Sequence, residues 1–325
     1  MKPIDYIRRC IELAAQGKGW VNPNPLVGCV IVHEDKIISE GWHQGYGQAH
    51  AERMAIDEYL SAGNVAEIFK ECDVYVSLEP CSHFGKTPPC ADLLVKHRFK
   101  RVFVSMLDPN ILVAGSGIEK LRQAGISVEV GIGEALARSQ NRFFLSFHEK
   151  KRPYFILKWA ETSDGFIAPE SRFRTAISGV ESQKYVHALR QECSAILVGR
   201  TTLLGDNPQL TDRYFGGPQP VKFVFSSSWN GDLDEDFQMV ENVQQFIKIC
   251  MEQGLNSVLV EGGLQTLEYF LATGLVDEVH QIQSKSMVLG TGINGPQFES
   301  AALGLDKVSH TENESDFITV YKRKS

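Results

Sequence analysis

Residues 48–53 read QAHAER and residues 78–90 read LEPCSHFGKTPPC, and these two stretches together decide the fold. They place His50, Glu52, Cys81 and Cys90 in the order His-x-Glu, Pro-Cys, Pro-Cys. Imidazole nitrogen and thiolate sulfur are borderline-soft donors that suit zinc. Three protein donors leave the fourth tetrahedral position for water, the pattern of a catalytic rather than a closed structural site. His50, Cys81 and Cys90 are therefore the expected ligands of Zn2+. Glu52 is the expected carrier of protons between the water and a leaving group. A closed site would need a fourth protein donor, which His83 would have to supply. That alternative gives a zinc-stabilised binding protein without catalysis.

Geometry adds a constraint. Residues two apart do not share a face of a regular helix, so His50 and Glu52 reach one site only from an entry turn. Gly45, Gly47 and Gln48 precede the pair, and the apolar helical pattern of Met54, Ala55 and Leu60 follows it. Cys81 follows the apolar run 74–78. A thiolate beside a helix start is favoured by the dipole and the free N–H groups there.

Outward from these stretches, residues 1–150 alternate helix and strand signals. Ile4, Ile7, Ile11, Ala14 and Ala15 predict a helix that Gly17 and Gly19 stop. The run 27–32 and residues 36–39 predict a hairpin about Glu34-Asp35. Strands are expected at 74–78, 101–106 and 128–130, and helices after His50, at 90–95 and at 118–123. The stretch HEKKRP at 148–153 reads as a linker. Beyond it, strands are expected at 154–159, 195–198, 221–225, 257–260, 278–282 and 317–321, with helices at 181–191 and 264–272. Residues 230–241 (NGDLDEDFQMVE) read as an acidic surface segment. The fold class is α/β, in two domains at 1–147 and 153–325.

Composition agrees. A chain of 325 residues exceeds one ordinary core, at roughly 100–200 residues per domain. With 43% hydrophobic and 22% charged residues it reads as globular, not disordered. No apolar run approaches the roughly 18 residues that span a bilayer, so no membrane partner is expected. The N-terminal MKPIDYIRRCIELAAQ breaks its apolar positions with charges, so the cytoplasm is the expected location. The net charge of −7 argues against a nucleic-acid coat, which needs a basic face. Residues 1–150 hold 17 basic and 18 acidic side chains, leaving 16 and 22 for 151–325, so the second half carries most of the excess. The seven cysteines are odd in number and scattered, which suits metal use of a close pair better than a disulfide framework.

Zinc nucleobase deaminases carry H-x-E with P-C-x-x-C. Here eight residues separate Cys81 from Cys90. With that loop, residues 22–32 (NPNPLVGCVIV), 41–53 (GWHQGYGQAHAER), 78–90 and 108–117 (DPNILVAGSG) closely resemble the bifunctional riboflavin-biosynthesis deaminase/reductase family, RibD. The resemblance continues more thinly through KWAETSDG at 158–165, VHALR at 186–190, AILVG at 195–199, TLLGDNPQLTDR at 202–213 and VEGGLQTL at 260–267.

The resemblance implies an N-terminal cytidine-deaminase-like three-layer domain and a C-terminal dihydrofolate-reductase-like domain. It implies zinc-dependent deamination of a diamino-hydroxy-pyrimidine bearing a phosphoribosylamino group. NADPH-dependent reduction of the ribosyl chain to a ribityl chain would follow. The family's zinc ligands fall on His50, Cys81 and Cys90 and its proton shuttle on Glu52. Its deaminase substrate contacts fall on Asn24, His43, His83, Lys86, Asp108 and Asn110; Asn24 and Asp108, beside Pro25 and Pro109, also suit plain turns. Its cofactor contacts fall on Ala160, Thr202, Asp206, Ser227 and the run Gly263, Leu264, Gln265, Thr266, Leu267. Its reductase substrate contacts fall on Arg190, Leu210, Arg213 and Glu261, and a homo-oligomer, dimer or tetramer, is implied.

The second half also departs from the family pattern. Arg174, Ala176, Ile177 and Ser178 stand where the family has a Ser followed by Trp-Ile-Thr, and Phe225-Ser226-Ser227 ends a strand that usually ends in Asp. Arg172, Arg174 and Lys222 are candidate replacement phosphate contacts. The alternative to reduction is a second domain that binds without reducing, and a cleft lined by acid would favour it. A nucleic-acid deaminase is opposed by the charge and by the GKTPPC loop.

Overall fold

Side chains of one strand alternate between faces, and both faces of the first sheet are apolar. Cys29, Ile31, Val74, Val76, Val102 and Val104 share one buried cluster, while Val30, Val32, Tyr75 and Phe103 share another. Such a sheet needs helices on both sides, and the computed structural model shows them. It describes residues 1–83, 88–110, 114–171, 175–228 and 233–324. Two compact units divide at Lys151/Arg152.

In unit 1 the helices are α1 Pro3–Ala14, α2 Ala51–Ser61, α3 Cys90–His97, α4 Ser116–Gln123, α5 Glu134–Gln140 and α6 Arg142–Glu149. The strands are β1 Gly28–His33, β2 Lys36–Trp42, β3 Asp73–Val76, β4 Arg101–Val104 and β5 Ser127–Val130. The sheet order is β2-β1-β3-β4-β5. β1 is antiparallel to β2 and β3, and β3, β4 and β5 run parallel. The β1–β2 hairpin turns at Glu34 and Asp35, both with positive φ (47° and 60°), as a two-residue primed turn requires. Tyr6, Ile7, Cys10 and Leu13 of α1 cover one face; Ala55 and Ile56 of α2, Leu94 of α3 and Leu121 of α4 cover the other. This is a three-layer α/β unit.

Unit 2 holds β6 Tyr154–Glu161, β7 Phe166–Ala168, β8 Ala195–Gly199, β9 Val221–Phe225, β10 Phe237–Val240, β11 Ser257–Val260, β12 Glu278–Ser284, β13 Ile293–Asn294, β14 Leu305–Glu312 and β15 Asp316–Arg323. Its helices are α7 Val180–Glu192, α8 Arg200–Asp206, α9 Val243–Gln253 and α10 Leu264–Thr273. An eight-stranded sheet runs β10-β9-β8-β11-β6-β12-β15-β14. It is parallel from β10 to β12, with β15 and β14 added antiparallel. Phe155, Leu157, Phe223, Phe246 and Phe270 build the core under α9 and α10, while Val186 of α7 packs on Ile282, Ile318 and Val320 on the other face. Arg152, the first residue of the unit, is clamped on the fully buried Asp277 by bonds of 2.5 and 2.8 Å.

The structure corrects three local expectations. Residues 148–149 belong to α6, whose Phe143, Phe144 and Leu145 are buried, so a charged surface stretch began on a helix, not after it. Within 230–241, residues 230–232 lie outside the described residues, Asp234, Glu235 and Asp236 are exposed as expected, and residues 237–240 form β10, which pairs with β9. α9 was not foreseen, although Val243, Phe246 and Cys250 recur at helical spacing and are buried. Its N-cap Asn242 accepts the Gln245 N–H at 2.9 Å. Asn242→Ala is expected to cost about 1 kcal/mol in urea denaturation, and Asn242→Gly only a few tenths. Among the described residues no helix is long and apolar enough to cross a membrane.

Candidate functional site

His50 is the N-cap of α2, with extended backbone (φ −76°, ψ 162°), so its ring leaves the helix while Glu52 begins it. That solves the spacing problem of two residues that share no helical face. Cys81 lies in irregular backbone beyond β3, and Cys90 is the first residue of α3. The Cys90 N–H donates to Cys81 Sγ at 3.3 Å, so Cys81 meets the start of that helix from outside. His50 Nδ1 lies 3.4 Å from each sulfur. Tetrahedral zinc, with Zn–S about 2.3 Å and Zn–N about 2.0–2.1 Å, separates S and N by about 3.5 Å. The three donors therefore fit one face of a zinc tetrahedron. They are the metal-ligating cluster found among the described residues; the exposed His83 is not part of it.

Without metal the two thiols share one negative charge. A hydrogen bond from Cys90 holds Cys81 down to about 4, and the resulting thiolate, with burial, holds Cys90 well up. The bond to Cys81 raises His50. Zinc binding to this set would release protons. Glu52 is 3% exposed. Burial, then the nearby Cys81 charge, pushes its carboxyl up to about 7.

The other first-half candidates surround this centre unevenly. His43 is buried, and its Nδ1 lies 3.0 Å from the Ala49 carbonyl, which can only accept. Nε2 is then the acceptor for Asn24 Nδ2, also at 3.0 Å. Both ring nitrogens thus have protein partners, and burial lowers the His43 pKa. Asp108 accepts the Asn110 N–H at 2.8 Å in an Asx turn. It lines a small cavity with Pro80, Cys81 and His83. Burial raises its pKa. Lys86 lies outside the described residues.

The sequence reading missed Glu79. Its buried carboxylate accepts backbone N–H groups from Asp108, Gly115, Gly117 and Ile118. The available signal was an acid closing the apolar run VYVSL directly before Pro-Cys, since a buried carboxylate requires partners.

In unit 2 the described candidates other than Lys222 line one cleft of about 1340 Å³: Ala160, Arg190, Thr202, Asp206, Leu210, Arg213, Ser227, Glu261 and Gly263 to Leu267. The cleft opens where β8, β9 and β11 end, the crevice position of parallel sheets. A Cβ on Gly262 would lie 2.5 Å from Gly199 N, and one on Gly263 (φ 65°) 2.6 Å from Thr202 Oγ1. Glycine at 262 lets its backbone approach that of Gly199, glycine at 263 leaves room for the Thr202 hydroxyl at a positive φ, and Gly263 caps α10 without a side chain. A glycine turn, a helix N-terminus and the hydroxyls of Thr202 and Ser227 suit a dinucleotide pyrophosphate.

Glu261, with a 7% exposed side chain, joins two cations. Lys158 Nζ lies 2.9 Å from Oε2, and Arg190 reaches both oxygens at 2.6 and 2.8 Å. Burial alone would raise the Glu261 pKa, but Lys158 and Arg190 hold it down to about 2. The fork of Arg190, expected as a substrate contact, lies on Glu261, with Nη1 also on the Thr211 carbonyl. Arg213 donates its backbone N–H to His187 Nδ1, and its side chain is exposed at the cleft. Leu210 is buried with φ 54°, an unusual conformation for a bulky residue. Lys222 pairs with Asp236 at 3.1 Å and is not at the cleft. Arg172 and Arg174 lie outside the described residues.

Comparison with known proteins gives two family matches. Residues 2–106 match the cytidine and deoxycytidylate deaminase zinc-binding region, and residues 153–318 match the RibD C-terminal domain. The riboflavin biosynthesis protein RibD of Actinobacillus pleuropneumoniae is 37% identical, over 91% of this chain and 87% of its own. That of Escherichia coli K12 is 38% identical, over 84% and 85%. The structure of Acinetobacter baumannii RibD superposes with a TM-score of 0.89 at 30% identity, covering 99% of both chains. A Thermotoga maritima diaminohydroxyphosphoribosylaminopyrimidine deaminase/5-amino-6-(5-phosphoribosylamino)uracil reductase does so with 0.89 at 34%, again over 99% of both.

Proposed function

Since the chain belongs to the RibD family of bifunctional riboflavin-biosynthesis enzymes, we propose that unit 1 houses its deaminase site and unit 2 its reductase site. The enzyme deaminates a diaminohydroxyphosphoribosylaminopyrimidine with zinc, then reduces 5-amino-6-(5-phosphoribosylamino)uracil with NADPH. The observation that carries the deaminase reading is the convergence of His50, Cys81 and Cys90 beside a buried acid.

His50, Cys81 and Cys90 would hold the zinc, which when bound would supply Lewis-acid activation of water. Glu52, buried beside the donor set, takes a proton at one carboxylate oxygen and returns it to the departing amine nitrogen. His43 fixes the amide of Asn24, leaving Asn24 Oδ1 as an acceptor for an amino group on the ring. Asp108, Asn110 and His83 complete the pyrimidine and sugar contacts.

NADPH, when bound, supplies the hydride for reduction of the sugar. Gly263 and the first turn of α10, with Thr202 and Ser227, would hold its pyrophosphate. Arg213 meets the substrate phosphate, and Arg190 acts by holding Glu261 in place. The reading in which unit 2 binds without reducing is not favoured. Lys158, Arg190, Arg200 and Arg213 outnumber Asp206, Glu241 and Glu261 among the described cleft residues. A cytoplasmic homo-oligomer, dimer or tetramer, accompanies this family reading, and sedimentation tests the assembly.

The test is one coupled assay with the pyrimidine phosphate, following ammonia and NADPH in the same tube. Equal amounts of ammonia released and NADPH consumed are expected. Ammonia without NADPH loss would limit the chain to deamination.

A further inference from the structure

Glu79 stands two residues before Cys81 and is 5% exposed. Its own N–H donates to the Met106 carbonyl at 3.0 Å, which anchors it to the segment after β4. Its carboxylate then ties together both ends of the stretch from 108 to 118. Oε2 accepts from Asp108 N at 3.2 Å and Gly115 N at 2.9 Å; Oε1 accepts from Gly117 N at 3.0 Å and Ile118 N at 3.4 Å. α4 has Gly115 (φ 81°) at its N-cap and so no capping side chain of its own. The first-turn donors that a Ser or Asp would ordinarily satisfy are satisfied from a distant segment instead. The docking is close, because a Cβ on Gly117 would lie 2.0 Å from the Pro80 carbonyl. Ser82 Oγ lies 2.6 Å from Ser116 Oγ on the same seam. One carboxylate thus sets the position of Asp108 and Asn110 relative to the ligand Cys81.

We propose that Glu79 is a positioning residue of the deaminase reaction, holding the Asp108–Asn110 wall against the metal centre so that the substrate binds there. The proposal rests on the deaminase reading of unit 1. Glu79 lines the same small cavity as Cys81, His83 and Asp108, and its carboxylate is taken up by backbone N–H groups, so its effect falls on binding. A structural cap alone would change stability and leave KM as it was.

The test uses the full-length zinc enzyme with Glu79→Gln and Glu79→Asp. Gln keeps the volume but turns an NH2 toward one pair of N–H donors; Asp keeps the charge with a shorter reach. Zinc content, kcat and KM for ammonia release, and NADPH oxidation on deaminated substrate are measured together. Expected are full zinc, unchanged reductase rates, kcat near wild type, and KM raised about tenfold or more in Glu79→Gln, less in Glu79→Asp. In a cycle with Asp108→Ala, the Glu79→Gln effect should shrink, because the wall is already damaged. Unchanged KM, loss of zinc, or additivity with Asp108→Ala would each overturn the proposal. No ammonia from the wild-type enzyme would instead overturn the deaminase reading itself.

Discussion

Glu52→Gln retains zinc and loses ammonia release by about 100- to 10,000-fold, the range that a positioned acid–base group supplies. The metal donors are His50, Cys81 and Cys90, all of which the substitution keeps in place, and Gln can still accept from the Cys90 thiol that bonds Glu52. Gln matches Glu in volume, so the buried site beside α2 stays filled. What it loses is the proton. Burial favours the protonated form of the Glu52 carboxyl, so a proton that it takes up can be given back. An amide does neither. Metal analysis, ammonia release and NADPH oxidation on deaminated substrate distinguish the outcomes. Near-normal ammonia release would refute the assignment, and loss of zinc would make Glu52 part of the metal site.

Glu261→Gln is expected to destabilise unit 2 by about 3–5 kcal/mol, because it leaves Lys158 and Arg190 as buried charges without their carboxylate. Reductase activity should fall with it, while ammonia release continues. The pH dependence has a definite sign. Glu261 is held at about 2 when folded, below its ordinary 4.5. The unfolded chain therefore binds the proton first as pH falls. The contribution of the triad is complete above about 4.5 and is lost as pH falls through about 2. Urea midpoints of reductase activity, taken on wild type and variant across that window, should converge at its acid end. A constant difference between them would show that the triad does not titrate as described.

Much of the fold was legible because burial leaves a periodic trace. The β1–β2 hairpin, α1 and the run of strands in unit 2 carry apolar residues at their own spacing. The metal donors were legible for a different reason: soft donors at strand-to-helix junctions have few other uses in such a sequence. Less was visible where a side chain's role depends on a remote partner. Arg190 reads as a substrate contact, yet its fork lies on Glu261, 71 residues away. His43 reads as a substrate contact, yet its two nitrogens hold Asn24 and Ala49. The charged 148–153 stretch reads as a linker, although α6 runs to Glu149.

By itself, the sequence determined a two-part α/β chain with a His-Cys-Cys metal set and one acid beside it, because residue type and local spacing suffice for these. Only the tertiary structure decided how charges pair and which loops are held. It gave Glu79 four backbone donors drawn from 108–118. It also balanced Glu261 between two cations. A buried charge is settled by the groups that folding brings within hydrogen-bond reach, and no local pattern records them.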